Sequence, residues 1–172
     1  MKNHPRAILF SGILYADEAY RKRALDAMIS AFGPLRHESR PVPWHSDHYS
    51  EELGTPIMRQ FLFFRDLISQ DALKDTKNRA RLIENDLSVD GRRRVNLDPG
   101  LIAPARVVLA TTKDYAHRIY LGEGVYAEAT LTFKSGRFVP SEFAYSDYTE
   151  EKALGLFKEM RDELLREAEN GT

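Results

Sequence analysis

Between Arg92 and Glu128 the chain gathers Arg94, Asn96, Asp98, Lys113, Asp114, His117, Arg118 and Glu128 among short apolar runs and turn residues. An imidazole titrates near neutrality, with an ordinary pKa of about 6.5, so His117 is the acid–base candidate. Guanidinium and ammonium groups bind phosphate oxygens, which suits Arg94, Lys113 and Arg118 to an anion. Carboxylates hold Mg²⁺ or orient a histidine, the two roles open to Asp98 and Glu128. Alternate residues of a strand share a face, so Asn96 goes with Arg94 and Asp98, Arg118 with Tyr120, and Glu128 with Thr130 and Thr132. The expectation is a site for a small phosphorylated or otherwise anionic, nucleotide-like ligand, with Mg²⁺ as a metal its carboxylates would suit. His117 and Asp98 would be catalytic, and Arg94, Asn96, Lys113, Arg118 and Glu128 would bind the ligand. The plainer interpretation is a set of cross-strand ion pairs on a solvated face. If Arg118 and His117 line an anion site, truncating either to Ala should weaken binding while costing the fold no more than about 1 kcal/mol.

Other motifs compete with this stretch. Asp98-Pro99-Gly100 predicts a tight turn, with proline fixing φ and glycine accepting positive φ. Leu121-Gly122-Glu123-Gly124-Val125 has glycines like those of a nucleotide loop. The alternation of Tyr126, Glu128, Thr130 and Thr132 after it predicts a strand, which makes the glycines a hairpin turn. His45-Ser46-Asp47-His48 offers three metal-ligand types in a polar loop, where a solvent-facing position is the plainer expectation.

The run from Arg94 to Gly100, the segments Leu109 to Asp114 and His117 to Glu128, and Tyr145-x-Asp147-Tyr148 together resemble the bacterial family DUF4416, described as a domain of unknown function. Asp47-x-Tyr49-x-x-Glu52-x-Gly54, Arg59 and Phe61 extend the resemblance over most of the chain. It implies no established activity, substrate or catalytic residue, although some members are labelled GTP-binding. A P-loop enzyme needs Gly-x-x-x-x-Gly-Lys-Ser/Thr to cradle phosphates, and this chain has no such stretch. Val95 to Gly100 resembles a GTPase strand-end motif only superficially, and Thr112-Lys113-Asp114 is an incomplete guanine-recognition motif.

The elements that must position these residues follow from periodicity. Pro5 to Tyr15 predicts a strand, and Asp17 caps a helix striped by Tyr20, Ala24, Leu25, Met28 and Phe32 and stopped by Gly33-Pro34. Leu35 to Val42 is extended and enters a proline-punctuated loop that runs to Thr55. Ile57 to Phe64 predicts a strand, although its pattern tolerates a helix. Ser69 caps a helix with Leu73, Thr76, Ala80, Ile83 and Leu87 on one face, closed by Asp90-Gly91. Strands follow at Arg92 to Leu97, Arg106 to Thr112, His117 to Leu121, Val125 to Phe133 and Arg137 to Phe143. Thr149 then caps a helix striped by Ala153, Phe157, Met160, Leu164 and Ala168. This order predicts an α+β fold, a ferredoxin-like βαββαβ core with a C-terminal antiparallel β meander and a terminal helix, in one domain over 1–172.

Composition bounds the partners. The 172 residues suffice for one buried core, and a net charge of -1 lacks the basic excess of a nucleic-acid-binding domain. The densest basic region, Lys74, Lys77, Arg79, Arg81 and Arg92 to Arg94, is interrupted by Asp71, Asp75, Glu84, Asp86 and Asp90, which predicts a solvated helix face. No apolar run approaches the roughly 20 residues of a membrane span. Met1-Lys2-Asn3-His4-Pro5 leads straight into a strand without a signal-peptide pattern, so a cytoplasmic location is expected, and the lack of cysteine agrees with a reducing compartment. The alternative function is a non-catalytic interaction module that docks on a partner protein through the meander or through Trp44, Tyr49, Phe61, Phe63 and Phe64.

Overall fold

The structure, a computed structural model, describes residues 5–171, so Met1 to His4 of the expected leader-free start lie outside the described residues. The fold is α+β with a large antiparallel sheet. In chain order come β1 (Arg6–Tyr15), α1 (Glu18–Phe32), β2 (Leu35–Glu38), β3 (Val42–Pro43), α2 (Ser50–Leu53), β4 (Met58–Ser69) and α3 (Leu73–Asp86). They are followed by β5 (Val95–Ala103), β6 (Arg106–Thr111), β7 (Ile119–Gly122), β8 (Val125–Lys134), β9 (Arg137–Pro140) and α4 (Glu151–Asn170). Among the described residues no helix is long and apolar enough to cross a membrane.

The chain divides into two compact units, and it passes from one to the other inside β1, β4, α3 and β5. The first comprises Phe10–Asp66 and Asp75–Pro99. Its strands neighbour one another in the order β2-β4-β1-β5, with β3 also on β4. Asp17 starts α1 by accepting the Ala19 N–H at 2.8 Å, and Gly33, at φ 93°, ends it in a left-handed conformation that favours glycine. Phe10, Ile13, Leu14, Met28, Leu62, Phe63, Phe64 and Leu97 are wholly buried there, which is why β1 and β4 are nearly continuous apolar runs.

The second unit, Met1–Leu9, Leu67–Lys74 and Gly100–Thr172, carries the meander. Its strands neighbour in the order β5-β6-β8-β7, and β9 pairs with β8 beyond β7's reach, Leu131 opposite Pro140. Gly122, Glu123 and Gly124 all have positive φ and form the expected hairpin turn between β7 and β8. The stripe Ala153, Phe157, Met160 and Leu164 of α4 is buried, with Phe157 5.7 Å from the Tyr148 ring, whereas Ala168 is exposed.

Several local expectations change. Asp98-Pro99-Gly100 is not a turn but the middle of β5, and Gly100 pairs with Leu109. Gly100 takes no positive φ, and Pro99 lies just before the first β5–β6 pair, so its missing N–H leaves that ladder intact. The chain instead turns at Pro104-Ala105. The strand expected from Arg92 begins at Val95, because Asp90 and Gly91, both at positive φ, close a tight turn bridged by Val89 and Arg92. His117 and Arg118 precede β7 rather than belong to it, since the Arg118 N–H donates to Tyr115 O and closes a turn. The last helix starts after Glu150, because the Thr149 hydroxyl donates to Ser146 O and serves the preceding turn.

Candidate functional site

In the meander unit, β8 places Glu128 opposite Leu109 of β6 and buries its carboxylate to 2% exposure. A carboxylate removed from water needs partners. His117 Nε2 lies 2.9 Å from Oε1, and Arg118 Nη2 lies 3.6 Å from Oε2. Arg118 is held by several groups: Nη1 donates to Lys113 O, Nη2 donates to the Tyr145 hydroxyl, and the guanidinium sits 4.7 Å from the Tyr115 ring centre. Its side chain is only 3% exposed, and Nε is buried with no hydrogen-bond acceptor. Arg118 is therefore not the partly exposed side chain that the sequence suggested. It braces Glu128, the Lys113 loop and Tyr145.

His117 is placed differently. Its ring stacks on Phe143, 4.0 Å between centres, lies nearly parallel to Tyr115, and keeps about a fifth of its surface in solvent. The Glu128 contact engages Nε2, so Nδ1 is the ring nitrogen that Glu128 leaves unbonded. Tyr115, Phe143 and Tyr145 around it are all about half exposed, and Lys113 is exposed on the preceding loop.

The other unit holds a second polar centre. Asn96 and Asp98 share a face of β5 as alternation requires, and Asn96 Nδ2 donates to Asp98 Oδ2 at 2.8 Å. Arg59 Nη1 and Lys77 Nζ stand 3.5 and 3.9 Å from the Asp98 oxygens, and Lys77 also donates to Leu97 O. Gly12 makes room for Arg59, since a Cβ there would lie 2.7 Å from Nη2. Arg94 does not join this group: its guanidinium lies over the Tyr20 ring. Arg93 does, donating from Nε and Nη2 to both oxygens of Glu52 and from Nη1 to Glu84 and Asn96.

Electrostatics splits the two Arg93 partners. Hydrogen bonding to Arg93 holds the Glu52 carboxyl below its ordinary range, whereas burial pushes Glu84 up despite the nearby Lys77 and Arg93. Sequence reasoning missed Lys77 and Glu84 by assigning α3's charges to a solvated face. They stand seven residues apart, two helical turns, on the side that also buries Thr76 and Ala80, and both are themselves buried. The quoted resemblance residues Glu52, Arg59, Asn96 and Asp98 meet in this one unit, while His117, Arg118, Lys113 and Glu128 belong to the other.

The remaining candidates are the aromatic set and the loop His45 to His48. Phe61, Phe63 and Phe64 are buried, and Trp44 and Tyr49 pack on Leu14, Leu53 and Ile57, so this set is not an exposed docking loop. In His45 to His48, Ser46 caps a short turn by accepting the His48 N–H. Among the described residues no group of three or more His, Cys, Asp or Glu is placed to hold a metal.

A family profile described as Domain of unknown function (DUF4416) matches residues 5–164. No curated protein and no solved structure matches the chain significantly.

Proposed function

The chain belongs to the DUF4416 family, matched over nearly its whole length, and we propose that it binds a small phosphorylated or otherwise anionic ligand, nucleotide-like in carrying a planar ring, beside His117. The observation that carries this reading is the 2.9 Å contact of buried Glu128 with a histidine whose ring stays partly in solvent among exposed aromatics. Glu128 fixes the tautomer and offsets the charge that forms when Nδ1 takes a proton. Tyr115, Phe143 and Tyr145 offer faces on which a base stacks, a contact typically worth about 1–3 kcal/mol per base. Lys113 supplies an exposed cation for phosphate, and Arg118 acts through Glu128.

The neighbour order β2-β4-β1-β5, with α1 following β1 and α3 following β4, supports a ferredoxin-like core in that unit. The four elements shared between the units support a single domain, and the lack of cysteine supports a cytoplasmic location.

Thermal-shift titrations with GTP, ATP, guanosine and inorganic phosphate, each with and without Mg²⁺, test the ligand reading. At a hundredfold excess over Kd a ligand should stabilise the wild type by about 2.7 kcal/mol. His117→Gln, which keeps a donor for Glu128 but lacks the imidazole ring, tests the histidine's part: its nucleotide shift should be smaller than the wild type's. No stabilisation of the wild type by any phosphorylated compound would overturn the proposal.

A further inference from the structure

The His117 ring is held at two places and open at a third. Phe143 stacks on it with 4.0 Å between centres and 11° between planes, and Nε2 contacts Glu128 at 2.9 Å. The stack fixes the plane of the ring, and the Glu128 contact fixes its rotation within that plane. Among the described residues nothing is bonded to Nδ1, and that atom is not buried. The lone pair of an imidazole nitrogen lies in the ring plane, so a partner on the face does not cover it. An imidazole held in this way either takes a proton from a neighbouring nucleophile or is itself the nucleophile. The first role within a protein requires a hydroxyl or thiol about 2.6–3.2 Å from the ring nitrogen, and none of the described residues places one at Nδ1. The chain therefore supplies one nucleophile here, the Nδ1 lone pair.

We propose that His117 Nδ1 accepts the terminal phosphoryl group of a nucleoside triphosphate, a step that rests on the nucleotide-like ligand proposed above for the same site. The Nδ1 lone pair attacks the γ-phosphorus. A nitrogen–phosphorus bond forms as the bond from that phosphorus to the β,γ-bridging oxygen breaks, and the nucleoside diphosphate leaves with the electron pair. Nothing is oxidised or reduced. The step uses the tautomer with hydrogen on Nε2, in which His117 donates to Glu128. That hydrogen stays in place, and Glu128 offsets the charge the ring gains. Phosphoryl transfer asks little covalent chemistry of a protein and depends on positioning and electrostatics. The two restraints on the ring supply the positioning, and Lys113, exposed four residues earlier in the same loop, supplies a cation for the phosphoryl oxygens.

The probe is GTP or ATP carrying radioactive γ-phosphate, added with Mg²⁺ to the full chain and quenched in alkali over a time series. A nitrogen–phosphorus bond to histidine survives alkali and is lost in acid, so the wild type should take up label with that stability. Phosphorus NMR of the labelled wild type should show the Nδ1 isomer, because Glu128 occupies Nε2. That assignment does not depend on how any variant folds. His117→Gln should lose the label, and His45→Gln, exposed in another loop, should keep it. Nucleotides that raise the wild-type Tm without labelling it at any time point would overturn the phosphoryl step and leave the ligand reading standing. Release of inorganic phosphate would not rescue it, since His117 would then serve as a base toward water. With neither thermal shift nor label, both fall. Label that persists in His117→Gln, or that sits on Nε2, also overturns the step.

Discussion

Glu84 and Glu128 are both nearly wholly buried carboxylates, held by groups of different kinds. Arg93 grips Glu84 and at the same time both oxygens of Glu52, while Arg59 and Lys77 face Asp98. The three cations are matched by three carboxylates, and Arg93 has spent its donors on protein. Glu128 instead shares its bonds between a buried arginine and a histidine that reaches solvent. The difference teaches that a dense cluster of charges is not by itself a site. A matched network orders the fold, whereas a buried carboxylate holding one partly exposed imidazole is the arrangement on which the proposed ligand site rests.

The comparison breaks most decisively at Arg93. Arg93→Ala would leave Glu84 buried without its closest partner, a change that typically costs about 3–5 kcal/mol. Urea unfolding should register that loss and no specific effect on nucleotide affinity in the surviving folded protein. If Arg93→Ala instead abolished nucleotide binding at little cost in stability, the two centres would have exchanged roles.

Arg118→Ala should come next. It removes bonds to Lys113 O and Tyr145 and one partner of Glu128, and stranding such groups typically costs about 1–3 kcal/mol. Affinity should fall with it, because Glu128 no longer holds His117 in place. An Arg118→Ala protein as stable as the wild type would return Arg118 to the ligand side of the comparison.

The two carboxylates on Arg93 give opposite pH signatures. Glu84 is raised above its ordinary 4.5, so its contribution to stability is complete below that value and is lost as pH rises through the folded-state value. Glu52 is lowered, so its contribution is present above 4.5 and is lost as pH falls through the folded-state value, an effect reduced by its partial exposure. Gln mimics the protonated form. Urea midpoints from pH 4 to 8 should therefore show Glu84→Gln near the wild type at pH 4 and increasingly favoured as pH rises, with Glu52→Gln increasingly disfavoured. The opposite trend for Glu84→Gln would mean that Arg93 more than repays the burial of that charge.

How far these centres were legible depended on distance along the chain. Helical stripes such as Leu73 to Leu87 and Ala153 to Leu164, and the sharing of a face by Asn96 and Asp98, follow from local periodicity, and the structure keeps them. Asp98-Pro99-Gly100 has strong turn chemistry that tertiary pairing with β6 overrides. Arg93 and Arg94 are adjacent, and no local rule says which guanidinium reaches Glu52 forty-one residues away and which settles on Tyr20. Glu128 was visible as one of a row of alternating polar residues. That its partners would be His117 and Arg118 depended on a turn closed by the Tyr115 carbonyl just before β7.

The smallest change sharpens the comparison furthest, because it separates the ring of the ligand from its charge. Lys113 is exposed, and only its backbone atoms are tied down, the N–H to Thr111 and the carbonyl by Arg118. Lys113→Ala should alter unfolding free energy by no more than about 0.5 kcal/mol, as surface substitutions usually do. If Lys113 meets phosphate, the thermal shift with GTP should shrink and lose much of its salt dependence, since a single exposed pair is screened over about 10 Å at 0.1 M salt. The shift with guanosine should not change, because stacking on Tyr115 and Phe143 needs no cation. A variant that loses both shifts equally would place Lys113 in the architecture of its loop, and one that loses neither would remove it from the anion's path.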